Sequence, residues 1–165
     1  MPYEPQPGYI GLTQIRGGVG KAIRFGQLLN GGSFSDYEHA FVYTGSGLIV
    51  EAEPGGAREV PIWYDLERIL WLRCPEQYQA GVVTAARTLV GTPYSFLDYG
   101  AIAAHRLHIP APHLEAFIRE SEHLICSQLC DRAAMLGGWH LFDDNRWEGY
   151  VTPDDLRELA DKQAV

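Results

Sequence analysis

Two β-rich runs, His39-Ala40-Phe41-Val42-Tyr43 and Leu48-Ile49-Val50-Glu51-Ala52, flank the segment Thr44-Gly45-Ser46-Gly47. Branched and aromatic residues on both sides of a Gly-rich turn predict a β-hairpin. Both faces of each run are largely apolar, which places the hairpin inside a sheet rather than at a solvated edge. Two polar residues sit in this apolar frame. His39 opens the first run, and Glu51 stands in the second. A carboxylate among apolar strand residues needs a partner, because burial penalises an uncompensated charge. The turn decides whether His39 is that partner. A three-residue loop, Gly45-Ser46-Gly47, pairs Phe41 with Glu51 and puts His39, Phe41 and Glu51 on one face. A two-residue loop puts His39 and Glu51 on opposite faces. Glu53 has the parity of Glu51 and is the fallback.

Around the hairpin, a short strand is expected at 9–13. A Gly-rich loop, Gly17-Gly18-Val19-Gly20-Lys21, follows, then a short helix from 23 to 29 stopped by Asn30-Gly31-Gly32. Further strands are expected at 58–61 and 69–73. From Pro75 the pattern turns helical: 77–90 stopped by Gly91-Thr92-Pro93, then 96–107, 114–121, and 126–136 stopped by Gly137-Gly138. Thr152-Pro153-Asp154-Asp155 starts a last helix, with Thr as N-cap, Pro at the first helical position and acids in the first turn. A β-rich first half and an α-rich second half predict an α+β fold, read as one domain over 1–165.

Composition excludes several function classes. With a formal net charge of −8 and scattered Lys and Arg, a nucleic-acid partner is not expected, since such affinity comes from cations on phosphates. No apolar run approaches the roughly 18 residues of a membrane span, so stable membrane insertion is not expected. The Pro-rich start Met1-Pro2-Tyr3-Glu4-Pro5-Gln6-Pro7 lacks a signal-peptide pattern. The expected location at synthesis is cytoplasmic, a phage-encoded enzyme leaving through a separate pore being the alternative. Three cysteines without scaffold spacing favour free thiols. Oligomeric state is not legible.

Cys126 opens the helix Cys126-Ser127-Gln128-Leu129-Cys130-Asp131. A thiol there lies near the positive end of the helix dipole and near N–H groups that have no intrahelical partner. Both favour thiolate, and the same N–H groups can stabilise an oxyanion. One position thus offers nucleophile activation and transition-state stabilisation. Cys130, one turn on, loses the terminal N–H groups and reads as core, as does Cys74 before Pro75. An imidazole held by a carboxylate is the matching base, because the carboxylate fixes its tautomer and stabilises the imidazolium.

The pattern His39-Ala-Phe-Val-Tyr, Gly45-Ser-Gly, Ile49-Val50-Glu51-Ala52 and, far later, Cys126-Ser127-Gln128-Leu129 resembles the circularly permuted NlpC-type papain-like hydrolases, in which the histidine strand precedes the cysteine helix. The segment Gly91-Thr-Pro-Tyr94-Ser95 and the opening strand around Ile10 are similar too, so the resemblance spans roughly residues 8–136. It implies a papain-like small antiparallel sheet packed against helices, with the Cys126 helix against the His39 strand. It further implies Cys126 as nucleophile, His39 as base and Glu51 as its orienter, with no metal or organic cofactor. Tyr94 and Ser127 are secondary candidates for substrate or oxyanion contact. Relatives often carry Glu where this chain has Gln128, which leaves the subgroup open. The expected activity is cleavage of an amide bond in a cell-wall peptide or similar peptide through a thioester. The alternatives are a lipid ester or thioester acyl hydrolase or acyltransferase, and a non-catalytic binding or virion structural module.

Other patterns carry less. The segment 17–21 lacks the first Gly and the final Ser or Thr of a phosphate loop. His105, His108 and His113 lack a matching carboxylate or helix-face spacing for a metal. Asp143-Asp144-Asn145 lacks the rest of a calcium loop. Trp139, Phe142, Trp147 and Tyr150 read as packing.

Overall fold

The computed structural model describes residues 4–14, 37, 39–53, 55–93, 125–144 and 151–164. Among them the fold is α+β. Five strands, β1 (Ile10–Thr13), β2 (His39–Gly45), β3 (Leu48–Glu53), β4 (Gly56–Pro61) and β5 (Leu70–Leu72), accompany three α-helices, α1 (Glu76–Thr88), α2 (Cys126–Leu136) and α3 (Pro153–Gln163). The strands form one sheet in the order β4-β3-β2-β1-β5, with every neighbouring pair antiparallel. The expected hairpin is β2–β3, and both of its strands are interior. The helices expected at 23–29, 96–107 and 114–121 lie outside the described residues. So do the segment 17–21, Tyr94, His105, His108, His113, Asn145, Trp147 and Tyr150.

Strand alternation sorts the hairpin into two apolar layers. On one face Ala40, Val42, Val50 and Ala52 join Ile10, Leu12 and Leu72, and the three helices cover them with Val82, Ala86, Leu129, Ala133 and Leu156. On the other face Phe41, Ile49 and Trp71 form a second cluster, with Ile69 and the partly buried Tyr43, Val60 and Tyr64. The Phe41 ring stacks on Tyr64 at 5.3 Å and meets the edge of Trp71 at 5.8 Å. Gly11, which pairs with both Phe41 and Trp71, makes room for this cluster. A Cβ there would lie 2.4 Å from the Phe41 ring.

The hairpin combines the shorter of the two loops considered with the pairing expected of the longer one. Phe41 does pair with Glu51, and Tyr43 with Ile49, but the closing pair is Gly45 with Leu48. The turn is therefore the two-residue Ser46-Gly47, with φ 52° and 73°. Two positive φ values mark the primed turn that matches strand twist. A bulge between Tyr43 and Gly45 makes Thr44 an extra residue, and this addition restores the register that a two-residue turn alone would not produce.

The helices place the other half of the site. α1 starts after Pro75 and buries Val82, Ala85 and Ala86 along one stripe. It ends two residues earlier than expected, with Gly91 at φ 91° beyond it. α2 is buried on most of its circumference, from Cys126 through Asp131 and again at Ala133 and Ala134, and it packs between α1 and β2. It can approach closely because Gly81 faces Gly137, where a Cβ on Gly81 would lie 2.6 Å from the Gly137 carbonyl oxygen. α3 starts as its sequence indicates. The Thr152 Oγ1 accepts from the Asp155 N–H at 3.2 Å, and the Asp155 carboxylate accepts from the Thr152 N–H at 2.8 Å. Among the described residues no helix is long and apolar enough to cross a membrane.

Candidate active site

The first residue of β2 and the first residue of α2 meet. Cys126 is 1% exposed and His39 1% exposed. The Cys126 thiol bonds to the His39 imidazole and receives the backbone N–H groups of Ala40 and Ser127. Behind the imidazole, the Nε2 of His39 lies 2.9 Å from Oε2 of Glu51. That leaves Nδ1 as the ring nitrogen available to the thiol. The three residues that sequence reasoning selected thus form one chain of contacts: Cys126, His39, Glu51. Glu53 is not in it. Its carboxylate accepts from Arg58 Nη2 at 2.7 Å.

The electrostatics run in one direction. Burial opposes charge on both the thiol and the imidazole, and it is the largest single influence on each. The mutual hydrogen bond, the attraction between the charged forms and, for His39, the bond to Glu51 outweigh it. His39 is pushed up from 6.5 to about 10. Cys126 is held below its ordinary value, helped by the Ala40 and Ser127 N–H groups. The favoured state is a thiolate–imidazolium pair. The other two thiols behave oppositely. Burial pushes Cys74 up to about 12, and burial together with the neighbouring Cys126 charge pushes Cys130 well up. All three thiols are free. Two sulfurs one helical turn apart are therefore pushed in opposite directions.

Glu51 is fully buried and accepts four hydrogen bonds. Oε2 takes the His39 Nε2–H at 2.9 Å and the Tyr64 hydroxyl at 2.9 Å. Oε1 takes Arg58 Nε at 3.2 Å and Nη2 at 2.9 Å. Burial works to protonate the carboxyl, but the His39, Arg58 and Tyr64 contacts together hold it below the usual carboxylate range. Sequence reasoning missed Arg58 and Tyr64. A signal for Arg58 existed: pairing Glu53 with Gly56 across a short connection sets Glu51 opposite Arg58, the observed register. Tyr64 lies after β4 in a segment without periodicity.

The remaining candidates find different places. The Ser127 hydroxyl is buried and donates to the Val151 carbonyl at 2.7 Å. Its side chain ties α2 to the segment before α3, and its backbone N–H is the part that reaches the thiol. Gln128 accepts from the Ile125 N–H at 2.9 Å, so it closes the free end of the helix that carries the nucleophile, a task that an amide or a carboxylate can perform. Trp139 is buried in the main core with Phe142 packed against it. His39, Glu51 and Glu53 bring possible ligand atoms within 4.8 Å of one another, a donor set with the charge for a cation. The Arg58 guanidinium already lies against both carboxylates and supplies that positive charge.

A cavity of about 670 Å³ adjoins this group. Its lining includes Thr13, Tyr37, Trp63, Tyr64, Asp65 and Arg68. Thr13 is the β1 partner of His39. Tyr64 carries its ring 5.8 Å from the imidazole and stacks at 4.2 Å on Trp63, which is 64% exposed. The cavity thus runs from solvent to the residues that flank His39. No family model matches the chain, and no curated protein is significantly similar to it.

Proposed function

We propose that the chain is a cysteine-dependent hydrolase, of the circularly permuted NlpC-type papain-like kind, that cleaves an amide bond in a cell-wall peptide or a similar peptide. The single observation that carries this reading is the buried Cys126–His39–Glu51 relay, with the thiol at a helix N-terminus and its titration moved opposite to that of Cys130 on the same helix. A structural cysteine has no need of an imidazole or a strand N–H on its sulfur. In the proposed reaction the Cys126 thiolate attacks the scissile carbonyl. The Cys126 backbone N–H, at the first helical position and without an intrahelical acceptor, donates to the oxyanion. The His39 imidazolium gives its Nδ1 proton to the leaving amine as the carbon–nitrogen bond breaks. This leaves a thioester and a neutral imidazole. Water then loses a proton to His39 and attacks the thioester, which releases the carboxylic acid and restores the ion pair. Glu51 keeps the ring oriented throughout.

Two measurements test it. Iodoacetamide at neutral pH is expected to label Cys126 long before Cys74 and Cys130; equal rates, or labelling only after denaturation, defeat the activated thiolate. Peptidoglycan fragments and short-chain lipid esters are then incubated with wild type and Cys126→Ala. Turnover of the fragments by wild type alone supports the amidase. Turnover of the esters alone moves the assignment to an acyl hydrolase, for which the exposed Trp63 at the mouth of the cavity offers an apolar contact.

A further inference from the structure

We propose that Arg58 and Tyr64 are positioning residues that keep Glu51 ionised and aimed, and through it set the pH range over which Cys126 is a thiolate; this rests on the hydrolase reading. Neither residue touches the sulfur. Each holds a different oxygen of the same carboxylate, Arg58 through two nitrogens on Oε1 and Tyr64 through its hydroxyl on Oε2. A fully buried carboxylate facing only an imidazole would be drawn towards its protonated form by desolvation. A neutral Glu51 still bonds to His39 but no longer stabilises the imidazolium. The guanidinium prevents this, and it is itself fixed by the second carboxylate, Glu53, at 2.7 Å. Glu53, Arg58 and Glu51 alternate in sign towards His39 and Cys126, so each charge is paired with the next.

Tyr64 acts at the oxygen that His39 uses. Burial and the Glu51 charge push its phenol far up, so the hydroxyl stays a donor. With Tyr64 on one side and Nε2 on the other, Oε2 has a fixed direction, and so does the imidazole plane. The ring is held in turn by Phe41, parallel to it within 5°, and by Trp63. Because Tyr64 also lines the cavity, the wall that faces a ligand and the anchor of the carboxylate are the same side chain.

The test is the pH dependence of Cys126 alkylation by iodoacetamide in the full chain, measured by mass spectrometry for wild type, Arg58→Met, Arg58→Lys and Tyr64→Phe, with unfolding followed in parallel. In Arg58→Met the acid limb is expected to move up by about one pH unit, the low end of the effect of a neighbouring cation because half of Arg58 stays in solvent. Arg58→Lys is expected to recover part of the shift, since it keeps the charge without the fork. Tyr64→Phe keeps the ring stack and loses only the donor, so a smaller shift in the same direction is expected, and it serves if Arg58→Met does not fold. Variants that lose stability but keep the wild-type acid limb overturn this proposal alone. A wild-type Cys126 that follows an ordinary thiol titration overturns the hydrolase reading and this proposal with it.

Discussion

Replacing Glu51 by Gln removes one charge from the centre of the relay with little change in volume. At an effective dielectric of about 20, unit charges about 4 Å apart interact by about 4 kcal/mol. The Arg58 cation on the far oxygen offsets part of this, and half of its side chain is exposed, so about 2–3 kcal/mol of preference for imidazolium remains. At about 1.4 kcal/mol per pH unit that is close to two units. The amide makes matters worse whichever way it lies. With its oxygen towards Arg58, its NH₂ faces His39 Nε2 and the Tyr64 hydroxyl and asks the imidazole to accept there, which places the ring proton on the side of the sulfur. With its oxygen towards His39, the NH₂ faces the guanidinium. The His39 imidazolium, which holds its proton to about pH 10 in the wild type, is therefore expected to lose it at about pH 8 in Glu51→Gln. The assay is the titration of the His39 imidazole by NMR from mildly acid to alkaline pH, with circular dichroism confirming that the variant is folded. A folded Glu51→Gln whose His39 titrates as in the wild type would refute the claim that Glu51 stabilises the imidazolium.

Other expectations follow from the same contacts. Gly81→Ala drives a Cβ to 2.6 Å from the Gly137 carbonyl; the α1–α2 pair must separate, and a loss of about 3 kcal/mol is expected in urea unfolding. The stability contributed by the His39–Cys126 pair has its own pH profile. His39, raised from 6.5 to about 10, contributes stability that is full below 6.5 and lost as pH rises through 10. Cys126, lowered from 9.0, contributes stability that is full above 9.0 and lost as pH falls through its folded value. Between 6.5 and 9.0 the folded pair and the unfolded chain each hold one proton, so the two slopes cancel. The Tm difference between wild type and the double variant His39→Gln, Cys126→Ala is thus expected to be level across that window and to shrink at higher pH and in acid.

The site was legible in the sequence where a local pattern carries the geometry. Cys126 announced itself by standing between an apolar step and a run of helix formers, and helix starts follow from local signals. His39 and Glu51 were legible as a pair up to one binary unknown, the turn. The structure answers it with a device that reading the loop missed: Thr44, an unremarkable residue for a strand, is the bulge. Arg58 was read only as the start of a strand, because its role depends on pairing across a second hairpin. Tyr64 was invisible, since a loop residue three past β4 reaches Glu51 only through tertiary packing. The strands at 9–13, 58–61 and 69–73 and the helices at 77–90 and 126–136 were found with ends displaced by at most two residues, as expected where caps and fraying decide the ends.

The Thr44 bulge also works as a rule of arithmetic. A two-residue turn alone pairs positions whose numbers differ in parity, as Gly45 and Leu48 do. In such a ladder a residue an even count away from His39 falls on the opposite face. Glu51 is twelve residues from His39, an even count, and the bulge is what makes even counts agree. Spacing and bulge must therefore change together in any chain that keeps this pair. Deleting one residue between His39 and Glu51 is tolerated if it removes the bulge itself, leaving an odd spacing and an unbroken ladder. Deleting one residue while keeping the bulge turns the carboxylate into the helix-facing core. Among aligned hairpins of this kind, an odd spacing together with a retained bulge should not occur with an intact relay.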